Sequence, residues 1–204
     1  IIDPASRRNL EIDINQKGDN LYTLAWVLDK TATAMGSRLL RRWLNRPLRD
    51  HTILGLRQNL IAQCLQQYAH EELHQHLKQV GDIERILSRV ALGSARPRDL
   101  ARLRDALAVI PDIRQRLSEL EAPLGTDICE RAPEFPQWVS RLQAAIIDNP
   151  PVVIRDGGVI AEGYDAELDE LRSLSENAGD YLVKLEERER ERTGISTLKV
   201  GYNR

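Results

Sequence analysis

The sequence predicts an all-α protein: a multi-helix core, then a long protruding lever helix, then a single β-strand at the end. Three observations lead there. Apolar residues recur at three- and four-residue spacing along most of the chain, which is the stripe of an amphipathic helix. The 204 residues are rich in Leu and Arg and carry only 3 Trp, 5 Tyr and 1 Phe, a composition that favours helix over sheet. The last residues change period. Leu198, Val200 and Tyr202 alternate with Thr197, Lys199, Gly201 and Asn203, the signature of a half-buried strand.

Taken in order, residues 20–30 and 34–45 read as two short helices. The second places Met35, Leu39, Leu40, Trp43 and Leu44 on one side and stops at Arg46-Pro47, since proline pushes its predecessor out of the helical region. Asp50 is placed to cap a long helix carrying Ile53, Leu54, Leu60, Ile61, Cys64 and Leu65, and Asp82 to cap one carrying Ile83, Ile86, Leu87 and Val90. Pro97 suits the first turn of a helix through Leu100, Leu103, Leu107 and Ile110, which Pro111 breaks or kinks. Residues 122–136 hold three prolines and a glycine and read as a loop with a short helical piece, before a helix over 137–148.

The segment RDGGVIAEGYDAELDELR turns at Gly157-Gly158, extends through Val159-Ile160 and enters a helix at Asp165 that the pattern carries to Arg192. Leu168, Leu171, Leu174 or Ser175, Ala178, Leu182 and Leu185 keep the spacing of a packed seam. At about 1.5 Å per residue such a helix is on the order of 42 Å long. Beyond Leu185 the run EERERER has no apolar face, and Asp180 with Lys184 and Glu186 with Arg190 form i,i+4 pairs suited to a helix standing in solvent. Thr193-Gly194 closes it. A lone strand afterwards leaves a row of unpaired N–H and C=O groups, so its pairing partner is expected in sequence beyond these residues.

Charge is uneven beneath a net −2. Gly36–Asp50 holds five Arg and one Asp; Arg85–Arg116 holds eight Arg and three Asp; Asp156–Thr193 holds twelve acids and five bases. The near-neutral sum gives no global pull toward nucleic acid. Arg38, Arg41, Arg42, Arg98 and Arg102 are expected to hold helices together or to face the acidic stretch. Cys64 and Cys129 lie far apart with no CxxC, which signals neither a zinc cluster nor a disulfide framework; they read as small buried hydrophobes in a reducing cytoplasm.

No catalytic constellation emerges. His70, Glu71 and His74 match H-E-x-x-H, which sets two imidazoles on one helix face as in zinc hydrolases, but Glu72, Gln75 and His76 surround them with polar groups and no third ligand is evident downstream. The expectation is no metal site. Asp156, Glu162, Asp165, Glu167 and Asp169 lack EF-hand spacing and fit the acid-rich start of a helix. Neither GxxxxGK[ST] nor GxGxxG occurs. No catalytic residues are assigned.

Five blocks in order, Arg7–Ile12, TAMGSRLLRRWLNRPLRD, GDIERILSRVALGSARPRDLARLR, RDGGVIAEGYDAELDELR and ERERTGISTLKVGYN, resemble the bacterial MutS family of DNA mismatch-recognition proteins. The resemblance implies a helical core (lever) domain over 1–177 and the start of a clamp over 178–204, with the terminal strand as the first strand of a truncated clamp. It implies no cofactor in this segment, with ATP and Mg belonging to a P-loop domain elsewhere in the intact relative. Implied partners are duplex DNA containing a mismatch, held through the clamp, other domains of the same chain, and a second copy in a homodimer. On the terminal strand Thr197, Lys199, Gly201 and Asn203 share one face: a hydroxyl, a cation, a glycine open to close approach and an amide. Residue chemistry alone leaves two readings, sugar-phosphate contact or the solvent face of an edge strand guarded by Lys; the resemblance favours DNA. Pro47, Pro111, Gly157 and Gly158 are the candidate hinges. The alternative is a helical scaffold that binds protein partners through an open leucine seam and ignores DNA.

Overall fold

The computed structural model describes residues 2–201, the side chains of Glu176 and Ala178 excepted. Its helices form two units, Ile1–Val159 and Ile160–Arg204.

The first unit opens with α1 (Pro4–Asn9), capped where Asp3 Oδ1 accepts the Ser6 amide at 3.0 Å. The chain then lies beside its own continuation. Leu24 N–H donates to Glu11 O and Ala25 N–H to Ile12 O, burying Ile12, Thr23 and Ala25. Thr23 caps α2 (Leu24–Leu28) and Thr33 caps α3 (Ala34–Asn45), which ends before Pro47 as its sequence requires. Asp50 accepts from Thr52 and Ile53 at the head of α4 (His51–Gln66). Tyr68, at φ 55, turns the chain into α5 (Ala69–Gln79). Asp82 caps α6 (Ile83–Ala91), and Pro97 opens α7 (Pro97–Ala108). Pro111 sits in the first turn of α8 (Ile110–Ser118), so the break falls where proline removes an N–H that a continuous helix needs. The proline-rich stretch expected as a loop with a short helical piece holds α9 (Pro123–Arg131), and α10 (Pro136–Ala145) comes next.

Two sets of helices pack within this unit. Where α4, α5, α8 and α9 meet, Ala69, Leu73, Leu117, Leu120 and Ala122 are buried, with Leu60, Cys64, Ile113 and Cys129 packed against them. Both cysteines are thus free thiols at one apolar cluster, and burial raises the Cys64 thiol above its ordinary value. Elsewhere α7 packs on α6 and on α10.

Alanines are prominent among the buried side chains, and small residues leave dispersion and apolar area to be made up by other means. Arginines tie elements together with hydrogen bonds and ion pairs. Arg38 on α3 grips Asp82 with two bonds of 2.8 Å and reaches Glu84 at 2.6 Å. Arg89 on α6 grips Asp99 on α7 at 2.8 and 2.6 Å. Arg104, 7% exposed, extends from α7 to the carbonyl of Ile146, and Arg98 donates to Pro150 O. Arg114 donates to the carbonyls of Cys129 and Ala132. Planar guanidinium forks make such bidentate grips stronger than neutral hydrogen bonds.

The second unit begins with a tight start. Gly163 N–H donates to Asp169, Asp165 caps α11 (Ala166–Glu176), and Arg172 donates to Ile160 O. The helix expected to run unbroken to Arg192 is two helices, α11 and α12 (Ala178–Thr193), separated by Asn177 at φ −105 and ψ 24. The break is a kink and not a reversal. Asn177 N–H still donates to Ser173 O, and Tyr181 N–H to Asn177 O, four residues apart in each case. Asn also competes for backbone groups, and its side-chain amide donates to Ser173 O at 3.0 Å. Gly194, at φ 71, ends α12 in the left-handed conformation that glycine tolerates.

The expected terminal β-strand does not form in the described residues. A strand needs a partner to satisfy its ladder, and here side chains of α12 take that place. Leu198 O accepts from Arg190 Nε at 2.8 Å, and Val200 N–H donates to Glu186 Oε2 at 3.0 Å. Ser196 and Thr197 lie in a turn closed by Leu198 N–H to Ile195 O. The period-2 pattern survives as burial: Leu198 and Val200 are half-buried, Lys199 and Gly201 exposed.

Candidate nucleic-acid interface and lever

Thr197, Lys199 and Gly201 are all exposed, on the outward side of a segment whose apolar residues turn inward. Asn203 and Tyr202 lie outside the described residues. The tethers that hold the segment, Glu186 and Arg190, form an ion pair with each other, matching the i,i+4 pair read from EERERER. Their second role, gripping the backbone of the segment after the helix, has no signal in local spacing. Asp180 and Lys184, the other expected pair, form no ion pair among the described residues.

The candidate hinges fall at three kinds of corner. Pro47 lies between the end of α3 and the start of α4. Val109 separates α7 from α8, and Pro111 lies in the first turn of α8. Gly157 and Gly158, at φ 72 and 64, come after a 3₁₀ turn over Ile154–Asp156, and two successive positive φ values are open only to residues without a Cβ penalty. Beyond them Val159 O accepts Ile147 N–H at 3.2 Å, so the short extended run after the glycines is anchored.

Of the arginines expected to bind helices together, Arg38 does so, Arg98 ties α7 to the loop at Pro150, and Arg41 stands 3.9 Å from Asp13. Arg42 and Arg102 are exposed and reach no carboxylate among the described residues. The Arg38 fork holds the Asp82 carboxyl down at about 2, and the Arg89 fork holds Asp99 below the usual carboxylate range. These depressed carboxyls fasten one helix to another.

The H-E-x-x-H residues sit on α5, with His70 exposed and its Nδ1 3.2 Å from Cys64 O. Among the described residues no three His, Cys, Asp or Glu side chains converge as metal ligands. No helix among them is long and apolar enough to cross a membrane.

The first unit is a helical bundle held by arginine forks, and the second holds two helices joined at a kink. Residues 5–190 match the MutS domain III family, and the chain belongs to it. MutS domain III is part of a DNA mismatch-repair protein.

Proposed function

We propose that this chain is the mechanical middle of a mismatch-repair protein: a non-catalytic lever that couples mismatched duplex DNA, held by a clamp, to a distant ATPase. The reading divides it into a core over 1–177 and the start of the clamp over 178–204. ATP and Mg belong to the ATPase domain of the intact protein, which acts in the cytoplasm as a homodimer. The observation that carries this reading is the rod of the second unit. α11 and α12 continue one another through a single residue, and the far helix is stiffened by its own Glu-Arg pairs. Coupling between remote sites needs an element with two arrangements that both sites bias. A stiff rod with Pro47, Pro111 and Gly157-Gly158 as corners supplies one.

At the tip, Thr197, Lys199, Gly201 and Asn203 contact the sugar-phosphate backbone without reading base sequence. One lysine contributes a small, salt-sensitive attraction. The test is fluorescence anisotropy of a labelled duplex titrated with the chain over a range of salt. Weak binding that vanishes as salt rises is expected, and Lys199→Ala lowers the slope of log K against log salt by about 1. Tight, salt-resistant binding, or a slope that Lys199→Ala leaves unchanged, refutes the assignment.

A further inference from the structure

Helix α3 is strongly amphipathic, yet none of its residues is fully buried. Its half-buried side carries Leu40 and Leu44, and a second stripe faces solvent. Leu39, Arg42 and Trp43 stand at i, i+3 and i+4 and share one face, and Arg46 follows as the residue that ends the helix. Leu39 is 42% exposed and Trp43 41%. The face continues onto α4, because the Arg57 guanidinium lies 3.6 Å over the Trp43 ring, and Ile53, one turn earlier on that helix, is 41% exposed.

Two properties mark this surface. Among the described residues neither Arg42, Arg46 nor Arg57 forms an ion pair, whereas Arg38 on the same helix is fully engaged. From Arg42 through Arg57 the chain holds four arginines and one aspartate, and Asp50 is occupied as the α4 cap. The dipole at the C-terminal end of α3 accounts for Arg42 and Arg46 being tolerated there. It does not account for large apolar side chains left in water between them.

We propose that this α3/α4 face docks an acidic amphipathic helix of a separate protein chain. Such a helix lays its apolar side over Leu39, Trp43 and Ile53 and brings carboxylates to Arg42, Arg46 and Arg57. Duplex DNA fits less well, since it offers phosphate to the arginines and nothing to the leucine and isoleucine. The composition agrees: Trp and Arg are the anchors of protein interfaces, while Lys is depleted there, and no lysine occurs from Thr31 to Leu77. Stacking on the indole leaves the Arg57 N–H edge free to meet a carboxylate bidentately. The mode is a helix laid on a groove, with charge setting orientation and encounter rate. The proposal does not depend on the clamp reading.

The experiment uses the whole chain and a fluorescein-labelled helical peptide with leucines at i, i+3, i+4 and i+7 flanked by glutamates. Anisotropy is read at low and high salt, and circular dichroism checks each variant's fold. Binding is expected to weaken with salt and to fall at least about tenfold in R42E/R46E, and again in Leu39→Ser, which neither adds nor removes a charge. Binding untouched by both variants, or none by the wild-type chain, overturns the proposal. So does a labelled duplex that binds more tightly than the peptide and is lost in R42E/R46E, which assigns the face to nucleic acid. Concentration-dependent dimerisation abolished by the same variants assigns it to a second copy and also overturns it.

Discussion

In the Ile1–Val159 unit some arginines reach from one helix to another; in the Ile160–Arg204 unit every arginine–carboxylate pair among the described residues lies along a single helix. Arg38 meets Asp82 across 44 residues of sequence, and Arg104 meets Ile146 O across 42. Arg172 with Asp169, Arg190 with Glu186 and Arg192 with Glu189 are three or four residues apart. Burial divides the same way: Ile12, Ile86, Ala101 and Ala106 are buried in the first unit, while no described residue of the second is. Forks between helices make a bundle cooperative, because losing one frees two elements. Pairs along one helix add a few tenths of a kcal/mol each to local helix stability and leave the rod free to open piecewise.

The most damaging test strikes a fork. Asp99 is 8% exposed, accepts two bonds from Arg89, and accepts the Arg96 amide at 3.0 Å as the reciprocal half of a capping box. Asp99→Ala removes a cap and leaves backbone and guanidinium donors unpaired, at a cost of about 2–3 kcal/mol. Urea unfolding monitored by tryptophan fluorescence reads the first unit alone, since Trp26, Trp43 and Trp138 all lie there. A loss well under 1 kcal/mol breaks the distinction between the units.

Acid sharpens it next. The carboxyls of Asp82 and Asp99 are held below the ordinary 3.8, Asp82 at about 2, first by the hydrogen bonds from Arg38 and Arg89. Folded carboxyls so held bind fewer protons than unfolded ones, so their stabilisation is complete above about pH 4 and drains away as pH falls toward 2. Tryptophan fluorescence is expected to show the first unit weakening across that window. Asp82→Asn, which carries no titrating carboxyl, flattens the pH dependence while lowering stability at neutral pH. An unchanged pH profile in Asp82→Asn counts against the fork as the source.

Much of the bundle is legible in the sequence because its punctuation is local. Asp50 and Asp82 cap the helices their positions predict, Asp165 heads the helix expected to begin there, and Pro47, Pro97 and Pro111 stop or start helices through their ring and missing N–H. The forks are not legible. Arg38 and Arg42 differ by one helical turn and look alike in sequence, yet one faces Asp82 and the other solvent. Only the packing of α3 decides between them. The break at Asn177 is hidden differently, since a leucine seam reads straight through one weak helix former flanked by good spacing. At the terminal segment the alternation predicts which side chains turn inward, and that much is seen. Pairing is a property of two segments, and period alone supplies one.

The smallest effect separates two functions of one side chain. Glu186 pairs with Arg190 along α12 and also accepts the Val200 amide. Glu186→Gln removes the charge but keeps a side-chain carbonyl able to accept that N–H, so it costs α12 only the i,i+4 pair, on the order of 0.3–0.5 kcal/mol. Glu186→Ala removes both. Amide hydrogen exchange at Val200 distinguishes them: protection should persist in Glu186→Gln and vanish in Glu186→Ala, while tryptophan fluorescence of the first unit is unmoved by either. Equal loss of protection in the two variants means that charge, through the Arg190 pair, is what holds the segment on the helix. The tail would then loosen with added salt, and its exposure of Thr197 and Lys199 would depend on ionic strength as strongly as any contact they make with phosphate.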